Sequence, residues 1–318
     1  MFRIRREGGS TGRIRSHPQT GTAARRRTGR RIALAALSLL LPLAALSTGS
    51  AAAKSDSPLG LPAYSSIPRN LPASVLSWGF QVTSTSEVGD EVELAPGLII
   101  RPRVLDSVRV VMSSLACQSG RWNTSNCVSA RGSSFTHPLT VNVYAVDNST
   151  STPKPGALLA TRTQTTRIAY RPSADSTRCT GANAGRWYDS LTRTCNASIA
   201  QTVTFDVPGM VKLPRQIIWT IAYNTTTAGY HPIGAAPCVT SAPGCPYDAL
   251  NVGIQTFPGA PFVGTDVDPN GAFLNSSVGS MYCDGGMGGT GTLRLDTDNT
   301  GTCWTGNTPL AEIKTRFL

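Results

Sequence analysis

Charge is scarce in this chain of 318 residues: 15% are Asp, Glu, Lys or Arg, against roughly a quarter in an ordinary soluble domain. Histidine is scarcer still. Beyond residue 53 there are only His137 and His231, each directly before a proline, and no G-x-S-x-G or H-E-x-x-H motif occurs. A serine-triad or zinc hydrolase would lack the groups its chemistry requires. No segment has convincing amphipathic-helix periodicity, which excludes a helical bundle and a βαβ architecture. The apolar run at residues 32–47 contains Pro42 and is shorter than the about 20 residues a spanning helix needs. The basic excess is confined to the start of the chain. Of 29 basic and 18 acidic residues, ten and one fall within residues 1–53, leaving 19 against 17. A near-neutral remainder has no basic footprint for nucleic acid.

Residues 1–53 combine ten arginines, the short apolar run and a small-residue end at Ala51-Ala52-Ala53. This is the pattern of a secretory signal peptide cleaved after Ala53. All eight cysteines lie downstream of it, in four near-neighbour pairs: Cys117/Cys127, Cys179/Cys195, Cys238/Cys245 and Cys283/Cys303. An even count behind an export signal implies disulfides formed outside the cytoplasm. Eight cysteines allow 105 connectivities, and sequential pairing is the expectation that proximity favours.

After residue 53 the chain reads as short strands. Val203, Phe205 and Val207 alternate with polar residues, and Ile217, Trp219, Ile221 and Tyr223 form one face of another run. Similar runs occur at 78–83, 91–94, 104–113, 139–146, 158–163, 250–256, 292–295 and 312–317. Turn chemistry separates them, which points to an antiparallel sandwich or barrel. Residues 54–75 carry Pro58, Pro62, Pro68 and Pro72 and read as an extended leader or linker. Residues 76–318 read as one β domain, with long Gly/Pro-rich loops over 231–291.

The Val141–Tyr144 strand pattern, the following Pro155-Gly156-Ala157-Leu158-Leu159-Ala160-Thr161, a Thr-rich strand and a later Phe-Asp-Val turn resemble the jelly-roll modules of bacterial secreted and surface proteins. Sugar-binding and anchoring modules belong to that group, and the resemblance covers about residues 76–225. It implies a jelly-roll-like β-sandwich and non-catalytic binding.

Candidate binding residues sit on the cysteine-closed loops. Two of these loops repeat one tripeptide, Gly120-Arg121-Trp122 and Gly185-Arg186-Trp187, while Trp304 and Tyr247 lie beside Cys303 and Cys245. Indole faces stack on sugars and arginine offers fixed donors, so Arg121, Trp122, Arg186, Trp187, Trp304 and Tyr247 form a candidate glycan rim. The alternative is that these tryptophans pack on their neighbouring disulfides. Trp78 and Trp219, within strands, are expected in the core. Asp266, Asp268 and Asn270 match the first half of a calcium loop, D-x-D-x-N-G, although Ser277 replaces the bidentate Glu at the twelfth position. Structural calcium is the one cofactor expected there. Gly286-Met287-Gly288-Gly289-Thr290-Gly291 satisfies G-x-G-x-x-G but leads into a strand pattern, so it reads as a loop rather than a dinucleotide site.

The sequence thus describes a secreted, monomeric, disulfide-stapled β-sandwich with no transmembrane helix in its mature part. The expected role is non-catalytic binding of carbohydrate or a cell-envelope component. A carboxylate-dependent glycoside hydrolase and a structural envelope or matrix protein are the alternatives.

Overall fold

A computed structural model describes residues 60–97, 102–122, 124–229, 250–280, 282–297 and 303–317. Residues 1–53, read as a signal peptide, the Cys238/Cys245 pair, His231 and Tyr247 lie outside the described residues.

The described chain is built almost wholly of antiparallel β-strands. The first sheet runs β1 (Leu61–Ser65), β15 (Ala311–Phe317), β4 (Arg103–Ser114), β11 (Leu250–Gly253) and β2 (Ser77–Trp78), with β9 (Ile199–Asp206) also paired to β4. The second runs β14 (Arg294–Asp296), β13 (Ala272–Ser276), β3 (Thr85–Glu93), β10 (Gln216–Ala222), β5 (Ser134–Asp147) and β6 (Lys154–Ala169), with β12 (Thr265–Asp266) added to β3. A separate hairpin joins β7 (Trp187–Asp189) to β8 (Thr194–Asn196). The only helical segments among the described residues are two 3-10 turns, Gly181–Asn183 and Thr225–Thr227. No helix among the described residues is long and apolar enough to cross a membrane.

Strand alternation builds the core. Val108, Val110 and Met112 of β4, Phe205 of β9 and Ile313 of β15 face Val88 and Val92 of β3, Val141 and Val143 of β5, and Ile217, Trp219 and Ile221 of β10 in one buried cluster. Trp78 and Trp219 are enclosed within it, as their strand positions require. Val111, one residue out of register with that face, packs with Val75 and Leu310 in a small second cluster. The antiparallel sheets include a curled half-barrel. In the second sheet the long hairpin of β5 and β6 forms one edge. Its edge strand β6 reaches the first sheet through side chains: Gln164 Nε2 donates to the Thr204 carbonyl at 2.9 Å, and Gln201 Nε2 to the Arg167 carbonyl at 3.0 Å. The architecture is therefore a two-sheet antiparallel sandwich with one curled sheet, and the strand order does not establish jelly-roll connectivity. Residues 60–75, read as leader, instead contain β1, which pairs with β15 and places Tyr64 fully inside the protein.

Among the described residues three disulfides are present, Cys117–Cys127, Cys179–Cys195 and Cys283–Cys303, each joining cysteines that are nearest neighbours in sequence. The first two loops dock on each other through Arg171. Its guanidinium is fully buried, donating to the Trp122 carbonyl at 3.1 Å and to the Gly185 carbonyl at 2.7 Å. Gly120 and Gly185, which open the repeated tripeptides, share a φ of 81°, a left-handed conformation that glycine adopts without steric cost.

Candidate functional site

The tryptophans proposed for a glycan rim separate on inspection of their burial. Trp187 is buried, with its indole nitrogen donating to the Ser198 carbonyl at 2.9 Å. Trp304 is fully enclosed, stacked on Trp78 with ring centroids 5.2 Å apart, and its indole nitrogen donates to Asp296 Oδ2 at 2.9 Å. Neither presents a face to a ligand. The rim reading is corrected for both, because a loop indole beside a disulfide gains more from burying its large apolar area than from solvent exposure. Trp122 is half-buried, and Arg121 and Arg186 are exposed. The glycines of Gly286–Gly291 lead directly to β14 and not to a helix, so no dinucleotide fingerprint is formed.

A different constellation has binding geometry. The turn between β2 and β3 and the segment after β10 enclose a cavity of about 260 Å³. Phe80 and Tyr223, stacked with centroids 4.0 Å apart and planes 19° from parallel, form its apolar wall. Gln81 lines the cavity and is 3% exposed, yet neither its Oε1 nor its Nε2 has a hydrogen-bond partner among the described residues. The Ser84 hydroxyl is likewise buried and unpartnered. Ser84 holds φ at 50°, a left-handed conformation that is uncommon for a residue with a side chain and that recurs at functional sites. Asn224 is already committed, its Oδ1 accepting from the Thr226 amide at 2.9 Å. Every side chain lining the cavity is uncharged. Behind Tyr223 stands His137, edge-on with centroids 6.1 Å apart and 1% exposed. Burial holds its pKa below the ordinary value, so it is a neutral packing group.

The carboxylates that converge do so inside the sandwich. Asp90 occupies the inward row of β3 between Val88 and Val92, opposite Trp219 of β10. One carboxylate oxygen each from Asp90, Asp266 and Asp268 lies within 4.8 Å of the others. Asp266 is held by two bonds, accepting from the Asp268 amide at 3.2 Å on Oδ1 and from the Thr308 hydroxyl at 3.1 Å on Oδ2. Both oxygens of Asp90 and of Asp268 are buried with no hydrogen-bond partner of normal geometry among the described residues, and the two carboxyl groups lie close enough to share a proton. Burial, then the neighbouring carboxylates, raises the pKa of Asp90 and of Asp268 well above the usual range. Asn270, the third ligand expected from the sequence, is exposed. Asp90 belongs to no motif of the sequence. The available signal was an acid in the apolar register of a strand.

Comparison of the chain with known protein families, with characterised proteins and with solved structures returned no match.

Proposed function

We propose that this chain is a secreted, non-catalytic binding protein that holds an uncharged carbohydrate unit in the cavity beside Phe80 and Tyr223. The observation that carries the reading is the Gln81 amide. A buried amide with no partner costs about 1–3 kcal/mol, and a bound sugar hydroxyl, both donor and acceptor, would satisfy each end of it. The neighbouring Ser84 hydroxyl adds a second convergent polar group on a mostly apolar wall, the usual make-up of a small-molecule site. The uncharged lining favours a neutral sugar over an acidic one. Three local disulfides suit a protein working outside the cytoplasm, and they support export without bearing on the ligand.

A glycan array on the purified protein, repeated with Gln81→Leu, tests the reading. The substitution removes the unpartnered amide, so the unliganded protein should melt at the same temperature or higher, while glycan binding falls at least tenfold. Absence of glycan binding by the parent protein, or full binding by Gln81→Leu, would refute the assignment.

A further inference from the structure

We propose that Asp90, Asp266 and Asp268, together with the Tyr64 hydroxyl, form a structural divalent-cation site suited to calcium, one that ties the two sheets together. Three carboxylates meet in a space where a like-charged cluster repels itself and where burial strengthens that repulsion. No ion pair among the described residues involves any of them. Buried charge persists when it is paired or bound to metal.

Independent support comes from Tyr64 on β1, in the opposite sheet. It is fully buried, and its hydroxyl has no hydrogen-bond partner of normal geometry among the described residues. A Cβ built at Gly264 would lie 3.0 Å from Tyr64 Cδ2, which sets the ring beside the turn that leads into Asp266. The site therefore contains hard oxygen donors from both sheets and from the loop after β12.

The dimensions admit calcium. Ligand oxygens 2.3–2.6 Å from a calcium ion stand up to about 5 Å apart across it, and the three carboxylate oxygens lie within 4.8 Å of one another. The loop geometry also leaves room on the Asp268 side. A Cβ built at Gly271 would lie 3.0 Å from Asp268 Oδ2 and 2.9 Å from Leu295 Cδ1, so glycine allows the close approach. The Gly271 amide donates to the Asp268 carbonyl at 2.7 Å and fixes the turn. Pro269 and Asn270 are exposed beside it, giving an ion a short path from solvent.

The alternative is a proton shared between Asp90 and Asp268, and calorimetry separates the two. Protein dialysed against chelator is titrated with calcium chloride alone, and melting is followed in chelator, calcium, magnesium and sodium chloride. One calcium ion per chain should bind, and calcium at a hundredfold excess over its dissociation constant should raise the melting temperature by about 5–10 °C. Magnesium should give a smaller rise. Asp268→Asn, on the exposed-loop side, should abolish the calcium response while the protein still folds, and Asp90→Asn should do the same. An equal rise with sodium chloride, or no calcium response together with an Asp90→Asn protein as stable as the parent at pH 7, would overturn the site in favour of the shared proton. Calcium binding that survives both substitutions would overturn it in favour of another location.

Discussion

Arg171→Met is the substitution whose cost the structure defines most completely. The guanidinium is fully buried and donates to the carbonyls of Trp122, Gly185 and Pro172 at 3.1, 2.7 and 3.3 Å. Methionine fills much of the stem's volume and leaves the Trp122 and Gly185 carbonyls without that donor. Each acceptor so stranded costs about 1–3 kcal/mol, so the expected loss for the two is about 2–6 kcal/mol. For a domain of this size that lowers the melting temperature by about 4–24 °C. Arg171→Lys should fall between, since one ammonium cannot reproduce the planar fork that reaches two loops at once. Urea denaturation gives the free energy. Limited proteolysis with mass mapping locates the change, which should appear within residues 117–127 and 179–195 because the Arg171 side chain reaches both, beside the backbone bonds from Ala174 to Cys127 and from Asp175 to Arg186. A loss below 1 kcal/mol for Arg171→Met, or new cleavage confined to other regions, would refute the keystone role.

Trp187→Ala should cost about 3–5 kcal/mol in urea denaturation, as truncation of a buried aromatic does, while Trp122→Ala costs less than half as much; a Trp187→Ala protein of parental stability that had lost glycan binding would restore the rim. His137 supplies the pH dependence. Its folded pKa is depressed by burial, so the unfolded chain takes up a proton that the folded chain refuses once pH drops below about 6.5. The contribution of this group to stability should fall with acid by up to about 1.4 kcal/mol per pH unit, against the opposite contribution of Asp90 and Asp268, whose raised pKa values let the folded chain take up protons. The dependence of urea midpoints on pH between 5 and 7.5 should lose the His137 part in His137→Gln, and an unchanged slope would refute its assignment to His137.

The strands that alternate were legible: β4, β5, β9, β10 and β15 fall where the apolar period of two places them, because each buries one face against the opposite sheet. β1 was not legible. Its Pro62 and the prolines around it read as a linker, yet β1 is an edge strand, where a missing amide donor is tolerated. The register shift between Pro62 and Tyr64 absorbs the irregularity. Pairing with β15, some 250 residues away in sequence, decides the outcome, and no local pattern reports it. The calcium-loop motif was readable at Asp266 and Asp268 because it is contiguous. Asp90 and Tyr64 come from other strands, and their part depends on which strand faces turn inward. Gln81 and Arg171 carry no periodic signal, and their roles arise from partners, or from missing partners, brought close by the fold.

The disulfides and the acidic cluster constrain the protein on different scales. The three staples join residues 10, 16 and 20 apart in sequence, and each closes a loop whose ends adjacent structure already brings near one another. The entropy such a link removes from the unfolded chain rises only slowly with loop length, so position matters more than span. Their cysteines lie outside the strands of the two main sheets and hold loop shape, while Cys283 and Cys303 also pack on the main core cluster. The acidic cluster lies within the sheet-to-sheet contact. Tyr64 comes from one sheet, Asp90 from the other, and Asp266 and Asp268 from the strand and loop that flank them. A cation there would act between the sheets, whereas its absence would leave either buried protons or buried repulsion in the core. Filling the row with a third valine between Val88 and Val92 would have avoided that cost. An acid in that position is therefore better explained by a ligand than by packing.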